Sequence, residues 1–80
     1  MLKISKDTTL QPEQILDKAV AFFGPDGEQL QEKDRDACCV SFEGGGGYVR
    51  VSVAEEGDAQ TVDVETREFE YQARQFLNRL

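Results

Sequence analysis

The feature that most constrains the fold of this chain is an alternation of apolar and polar residues between residues 38 and 65. Successive side chains of a β-strand point to opposite faces, so a period of two predicts strands with one apolar face. The apolar series consists of Cys38, Val40, Phe42, Val49, Val51, Val53, Val62 and Val64. Because three such runs follow one another, they predict an antiparallel meander.

Four consecutive glycines, Gly44–Gly47, separate the first two runs. A phosphate-binding loop needs backbone N–H groups that point at the anion, usually with a helix N-terminus behind them. Here a strand pattern follows from Tyr48, and the carboxylate of Glu43 precedes the glycines and would repel a phosphate. The run is therefore predicted to be a hairpin loop, in which glycine supplies positive φ angles. Four glycines exceed the need of a tight turn, which predicts either a mobile tip or the close approach of another segment.

Two amphipathic helices are predicted outside the meander. Pro12 suits a first helical position, and an apolar stripe at three- and four-residue spacing extends from there to Phe23. Gly24 is predicted to end this helix as a left-handed cap. The second helix is predicted near the C-terminus. Glu68 and Glu70 are predicted in its first turn, where acidic side chains interact favourably with the positive end of the helix dipole. Its apolar stripe is Phe69, Ala73, Phe76, Leu77 and Leu80.

The remaining segments give weaker patterns. Leu2 and Ile4 alternate with polar neighbours and predict a short strand at the N-terminus. Residues 55–58 are predicted to form a turn between the second and third runs of the meander. Residues 28–36 contain Leu30 as their only apolar side chain, so they are compatible with either an edge strand or a loop.

The order of elements is therefore strand, helix, up to four strands, helix, within a single small domain over residues 1–80. It predicts an α+β fold, written β-α-β(3-4)-α, with an antiparallel sheet and two helices packed on one face. This layout resembles the TATA-binding-protein-like fold, also called helix-grip, over the whole chain and by element order. In that class the nucleic-acid binders use the open sheet face, and the larger START-type lipid binders use a cavity between sheet and helix.

The charge of the chain restricts its partners. The formal net charge is -7, with 16 acidic residues against 9 basic residues, and no segment is strongly basic. A phosphate backbone or an anionic membrane would repel such a chain, so neither nucleic acid nor a membrane is predicted as a partner. No apolar run has the length of a signal peptide or a membrane span, and the chain is predicted to be cytoplasmic.

The only cysteines are the neighbours Cys38 and Cys39. Neighbouring side chains on a strand diverge, and a disulfide framework joins cysteines that are distant in sequence. They are therefore predicted to be reduced thiols, with Cys38 buried as a small hydrophobe and Cys39 pointing outward. Two sulfurs without a histidine in the chain make a poor metal site, and neither a metal nor a cofactor is predicted.

No residue pattern indicates catalysis. The charged run Glu32–Asp36 lacks the later glycine and glutamate of a calcium loop, and is read as solvated. Asp63 and Glu65 could form a carboxylate pair for acid–base chemistry, but charge pairing across a wet sheet face is the simpler interpretation. The chain also lacks a nucleophile motif such as G-x-S-x-G, so it is predicted not to be an enzyme.

The polar side of the predicted sheet is the best candidate for a functional surface. Tyrosine and arginine are enriched at interface hot spots, and arginines beside carboxylates give a self-complementary surface suited to a two-fold dimer. The sequence thus predicts a protein-interaction or self-associating module, with a weak homodimer formed through this face. The alternative is a domain that binds a small apolar ligand in a cleft between sheet and helix. The predicted interaction face consists of Cys39, Ser41, Tyr48, Arg50, Ser52, Asp63, Glu65 and Arg67.

Overall fold

The computed structural model describes all residues 1–80 as one five-stranded antiparallel sheet with two helices packed against it. The predicted α+β class is confirmed. Along the sheet the strands lie in the order β1-β5-β4-β3-β2, so β1 and β2 are the two edges. The elements are β1 (Leu2–Thr8), α1 (Pro12–Phe23), β2 (Gln31–Arg35), β3 (Cys39–Gly44), β4 (Gly47–Glu56), β5 (Ala59–Arg67) and α2 (Glu70–Asn78).

The meander predicted from the alternation is formed by β3, β4 and β5, each antiparallel to the next. The N-terminal strand β1 pairs with β5 through seven consecutive residue pairs, from Leu2 opposite Thr66 to Thr8 opposite Gln60. The first and last strands of the chain are thereby neighbours, which places β1 at the edge opposite β2.

One hydrophobic core lies between the sheet and both helices, so the two helices cover the same face of the sheet. The ring of Phe23 is central, with its centroid 5.7 Å from that of Phe42 and 5.3 Å from that of Phe76. Burial of such side chains is the main stabilising term for a small domain. The buried apolar residues are Ile15, Leu16, Ala19, Phe23, Leu30, Val40, Phe42, Val49, Val51, Val62, Val64, Ala73, Phe76 and Leu77.

Helix α1 begins at Pro12 as predicted, after Gln11, whose backbone N–H donates to the side-chain oxygen of Gln14 at 2.9 Å. It ends at Gly24, but the prediction of a left-handed cap is wrong, because Gly24 has φ of -74°. Glycine is needed there for space, since a Cβ atom would lie 2.5 Å from the carbonyl oxygen of Val20. A close backbone approach therefore replaces the expected left-handed turn.

The glycine run forms a tighter hairpin than its length suggests. Only Gly45 and Gly46 occupy the turn, with φ of 58° and 82°, while Gly44 and Gly47 pair with each other at the strand ends. A Cβ atom on Gly44 would lie 2.8 Å from a methyl carbon of Leu30, and one on Gly47 would lie 2.2 Å from the carbonyl oxygen of Arg67. Of the two explanations for the surplus glycines, the structure therefore supports close approach by other segments.

The structure defines three element boundaries that the sequence left open or placed differently. The turn between β4 and β5 is confined to Gly57 and Asp58, because residues 55 and 56 belong to β4. Residues 31–35 form an edge strand, which decides between the two readings of that segment. Helix α2 begins at Glu70, so the placement of Glu68 in its first turn is wrong; Glu68 has φ of 82° and turns the chain out of β5.

Candidate interaction face

The face of the sheet that turns away from the helices carries the predicted interaction residues in neighbouring positions. In the ladder between β4 and β5, Tyr48 lies opposite Arg67, Arg50 opposite Glu65 and Ser52 opposite Asp63. In the ladder between β3 and β4, Cys39 lies opposite Ser52 and Ser41 opposite Arg50. All eight residues are thus cross-strand neighbours on one surface, here called the open face.

Tyr48 is the only large ring on the open face, and it is held in one orientation. Its hydroxyl donates a hydrogen bond of 2.8 Å to the carboxylate of Glu65. The guanidinium of Arg67 lies 5.9 Å from the ring centroid and donates to the carbonyl oxygen of Gly46 at 3.3 Å. The hydrogen bond to Glu65, with partial desolvation and the charge of that carboxylate, raises the pKa of Tyr48, whereas Arg67 lowers it. The ring is therefore pre-organised and its hydroxyl stays protonated at neutral pH.

Strand β1 extends the open face, a contribution that the sequence prediction missed. Lys3 lies opposite Glu65, and the hydroxyl of Ser5 donates to the carboxylate of Asp63. At the far end the hydroxyl of Thr61 donates to Asp7 at 3.0 Å. The alternation of Leu2 and Ile4 with Lys3 and Ser5 predicted a short strand, but nothing local to β1 indicated its pairing with β5.

The open face carries charges of both signs. A shallow cavity of about 230 Å³ lies over its centre, lined by Lys3, Arg50, Ser52, Asp63 and Glu65. Two basic groups here face two carboxylates. The surface therefore offers a phosphate no concentrated positive charge, and it offers a protein partner several donors and acceptors at fixed positions.

The cysteines differ from their prediction. Cys38 and Cys39 form a disulfide with each other, so the prediction of reduced thiols is wrong. Cys38 is exposed and precedes β3, while Cys39 is its half-buried first residue; the expected burial of Cys38 is therefore also wrong. Because Cys38 lies outside the strand, the rule that neighbouring side chains diverge does not apply to this pair.

The turn before β3 brings a carboxylate to the cysteines. The backbone N–H of Cys38 donates to the carboxylate of Asp36 at 3.0 Å, and that oxygen lies 3.2 Å from the Cys38 sulfur. Donor atoms of the three residues lie within 4.8 Å of one another. In the disulfide form neither sulfur is a thiolate, which is the form that binds metals. Since a bond between neighbours closes no long loop, it constrains the unfolded chain very little.

On the helical side of the molecule, Ile15, Ala19 and Phe23 of α1 are fully buried against the sheet. A cavity of about 510 Å³ lies beside the first turns of α1, where Leu16 and Arg35 are among its lining residues. Another cavity of about 510 Å³ lies between α1 and α2 and is open to solvent along charged side chains. One of its walls is the ring of Phe22, over which the guanidinium of Arg79 lies at 5.2 Å. Neither helix has the length and apolar character needed to cross a membrane.

Comparison with known proteins adds no relative: no protein-family model matches the chain, and no curated protein matches it significantly.

Proposed function

We propose that this chain is a non-catalytic interaction domain that binds a protein partner through the open face. The observation that carries the proposal is the fixed geometry of Tyr48 between Glu65 and Arg67 on a face that no helix covers. A tyrosine that is already ordered loses little conformational entropy on binding, and aromatic and arginine side chains are the common anchors of interfaces. The face is thus suited to the recognition of another folded surface.

The partner proposed for the open face is a different protein with a polar surface of mixed charge. The carboxylates of Glu65 and Asp63 already accept hydrogen bonds from Tyr48 and Ser5, so they gain less from pairing with the arginines of a second copy. A homodimer through this face stays a prediction. Nucleic acid and anionic membranes are not proposed as partners, because the net charge is -7 and the face itself is mixed.

Two broader proposals accompany this one. The order β-α-β-β-β-β-α supports placing the fold in the TATA-binding-protein-like class. The cytoplasm is the proposed compartment, since the fold is held by its apolar core and not by the cross-links between distant segments that small secreted domains commonly need.

A pair of tyrosine variants tests the proposed function. Tyr48 is on the open face, whereas Tyr71 on α2 is 69% exposed and provides a matched control. Tagged wild-type protein, Tyr48→Ala and Tyr71→Ala are used to purify bound proteins from the native host. We expect a partner that is retained by the wild type and by Tyr71→Ala and lost with Tyr48→Ala. Equal retention by both variants, when both are folded by circular dichroism, would contradict a role for the open face.

A further inference from the structure

The outer edge of β1 is a row of unpaired backbone groups. All seven residues of β1 pair with β5 on one side without a register shift. No residue of β1 takes part in the backbone hydrogen bonds that lie outside the helices and ladders. The N–H and C=O groups that point away from β5 are therefore free to pair with another strand.

The side chains of β1 leave this edge accessible. Natural edge strands are often blocked by a bulge, a proline, charged side chains or an inward-pointing charge. Strand β1 has neither a bulge nor a proline, and the two charges that it presents on the open face, Lys3 and Asp7, are of opposite sign. Its inward-pointing charge, Lys6, is occupied, because the ammonium donates to the carbonyl oxygens of Leu77 and Leu80 at 2.9 Å and 3.3 Å. The lysine thus caps the C-terminal end of α2 instead of guarding the strand edge.

We propose that a second copy of this chain adds its own β1 to this edge, antiparallel and with the two-fold axis at Ser5. In an antiparallel pair opposite residues share a face, so an acceptable register must match the open face of one copy with that of the other. Centring on Ser5 meets this condition and pairs all seven residues of β1. It places Lys3 opposite Asp7 of the second copy, and by symmetry the same pair forms twice.

The neighbouring registers are poorer. Centring on Ile4 pairs Lys3 with Ser5, leaves Asp7 without a partner and shortens the overlap. Centring on Lys6 places two lysines directly opposite each other, which is destabilising. The Ser5 register alone uses both charged residues that β1 presents on the open face, and this charge complementarity selects a second copy as the occupant of the edge.

The helices leave room for this pairing. Helix α2 packs over β1 and β5, so its axis lies about half a strand spacing inside β1. Across the two-fold axis the two α2 helices would then be about 10 Å apart, close to the normal distance of packed helices. By helical period, the side of α2 that faces away from α1 carries Glu70 and Arg74. Their opposite charges can face each other between the copies.

The inference goes beyond the proposed function, because it concerns the strand edge and leaves the open face free. In the dimer the two open faces would form one continuous surface. Loss of partner binding by Tyr48→Ala and loss of self-association by edge variants are therefore separate outcomes, and either proposal can fail without the other.

Charge reversal at the edge tests the proposed register. Lys3→Asp and Asp7→Lys each place like charges opposite each other at two positions of the homodimer. We expect each variant to associate about tenfold or more weakly than the wild type in sedimentation equilibrium, since both symmetry-related pairs change from attraction to repulsion. An equimolar mixture of the two variants restores opposite charges at both positions, so we expect the mixture to associate again.

Lys33→Asp is the matched control, because it makes the same charge change on the exposed strand β2 at the opposite edge. It should leave association unchanged, and circular dichroism verifies that every variant is folded. The proposal is overturned if the wild type is strictly monomeric up to millimolar concentration. It is also overturned if folded Lys3→Asp and Asp7→Lys associate as the wild type does, or if their mixture gains nothing over the separate variants.

Discussion

Strands β1 and β2 are the two edges of the sheet, and each has backbone groups without a partner strand on one side. The two strands differ in how well they are protected against pairing with another strand. Strand β2 has five exposed residues, and its ladder with β3 shifts between Glu32 and Asp34, which leaves Lys33 as a bulge. Strand β1 is regular over seven residues, and its side chains alternate between half-buried and exposed. The protective features of an edge are therefore concentrated on β2, and β1 is left as the surface where strand pairing can continue.

The difference has an energetic basis. Strand β2 buries none of its own side chains, and its link to α1 is an exposed ion pair in which Arg35 donates to Asp17 at 2.9 Å. Exposed ion pairs contribute about 0–1 kcal/mol, so β2 depends on its ladder and on Leu30, the buried residue just before it. Strand β1 has α2 packed on its inner side. We expect β2 to open locally more often than β1.

The largest expected effect comes from Leu30→Ala. Leu30 is only 4% exposed and contacts the hairpin at Gly44, so the truncation leaves a cavity where β2 enters the sheet. Such substitutions lower the free energy of unfolding by about 2–4 kcal/mol, and urea unfolding followed by circular dichroism measures the change. A loss below about 1 kcal/mol would mean that β2 is anchored by something other than this residue.

A smaller effect is expected from Lys6→Ala at the β1 edge. The substitution removes two hydrogen bonds from the ammonium to the carbonyl oxygens at the end of α2. We expect the free energy of unfolding, measured by heat or urea, to fall by about 1 kcal/mol. The ammonium contributes beyond its hydrogen bonds because its positive charge stabilises the negative C-terminal end of the helix dipole. Lys33→Ala on β2 is the control and should change stability by less than about 0.5 kcal/mol. Equal effects of the two variants would contradict the distinction between the edges.

A still smaller effect is expected from Asp17→Asn, which removes the ion pair with Arg35. Because both side chains are exposed, global stability should fall by less than about 0.5 kcal/mol. Hydrogen exchange in β2 should become faster, while exchange in β1 stays the same. Faster exchange in both strands would show that the two edges open together.

The smallest effect on stability is expected for a change in thiol reactivity where the turn after β2 enters β3. After reduction of the disulfide, Cys38 should react with a thiol reagent faster than Cys39, since Cys38 is exposed and Cys39 is half-buried. Mass spectrometry of peptides after a short labelling pulse distinguishes the two sites. Faster labelling of Cys39 would place Cys38 back inside the strand.

The sequence predicted the elements that its periodicity determines. The alternation around Val49, Val51 and Val62 located the central strands, and the stripe ending at Phe23 located α1. It also placed the eight residues of the open face together, because period-two patterns fix the face of each side chain.

Contacts between distant segments were not predictable in this way. The pairing of β1 with β5 joins the first and last strands of the chain, and no local pattern around Ile4 specifies it. The bonded cysteines were missed because β3 begins at Cys39, one residue later than the alternation suggested. At Gly24 the determinant was the approach of a carbonyl oxygen four residues earlier, which a turn rule based on residue type does not capture.

Hydrogen exchange of the backbone amides at low micromolar and at millimolar concentration tests the difference between the edges most directly. If a second copy pairs with β1, the amides of β1 that point away from β5 should exchange more slowly at the higher concentration, while those of β2 should be unaffected. Lys3→Asp should remove this concentration dependence. Concentration-dependent protection of β2 instead, or no dependence in either strand, would contradict the assignment of β1 as the edge that pairs.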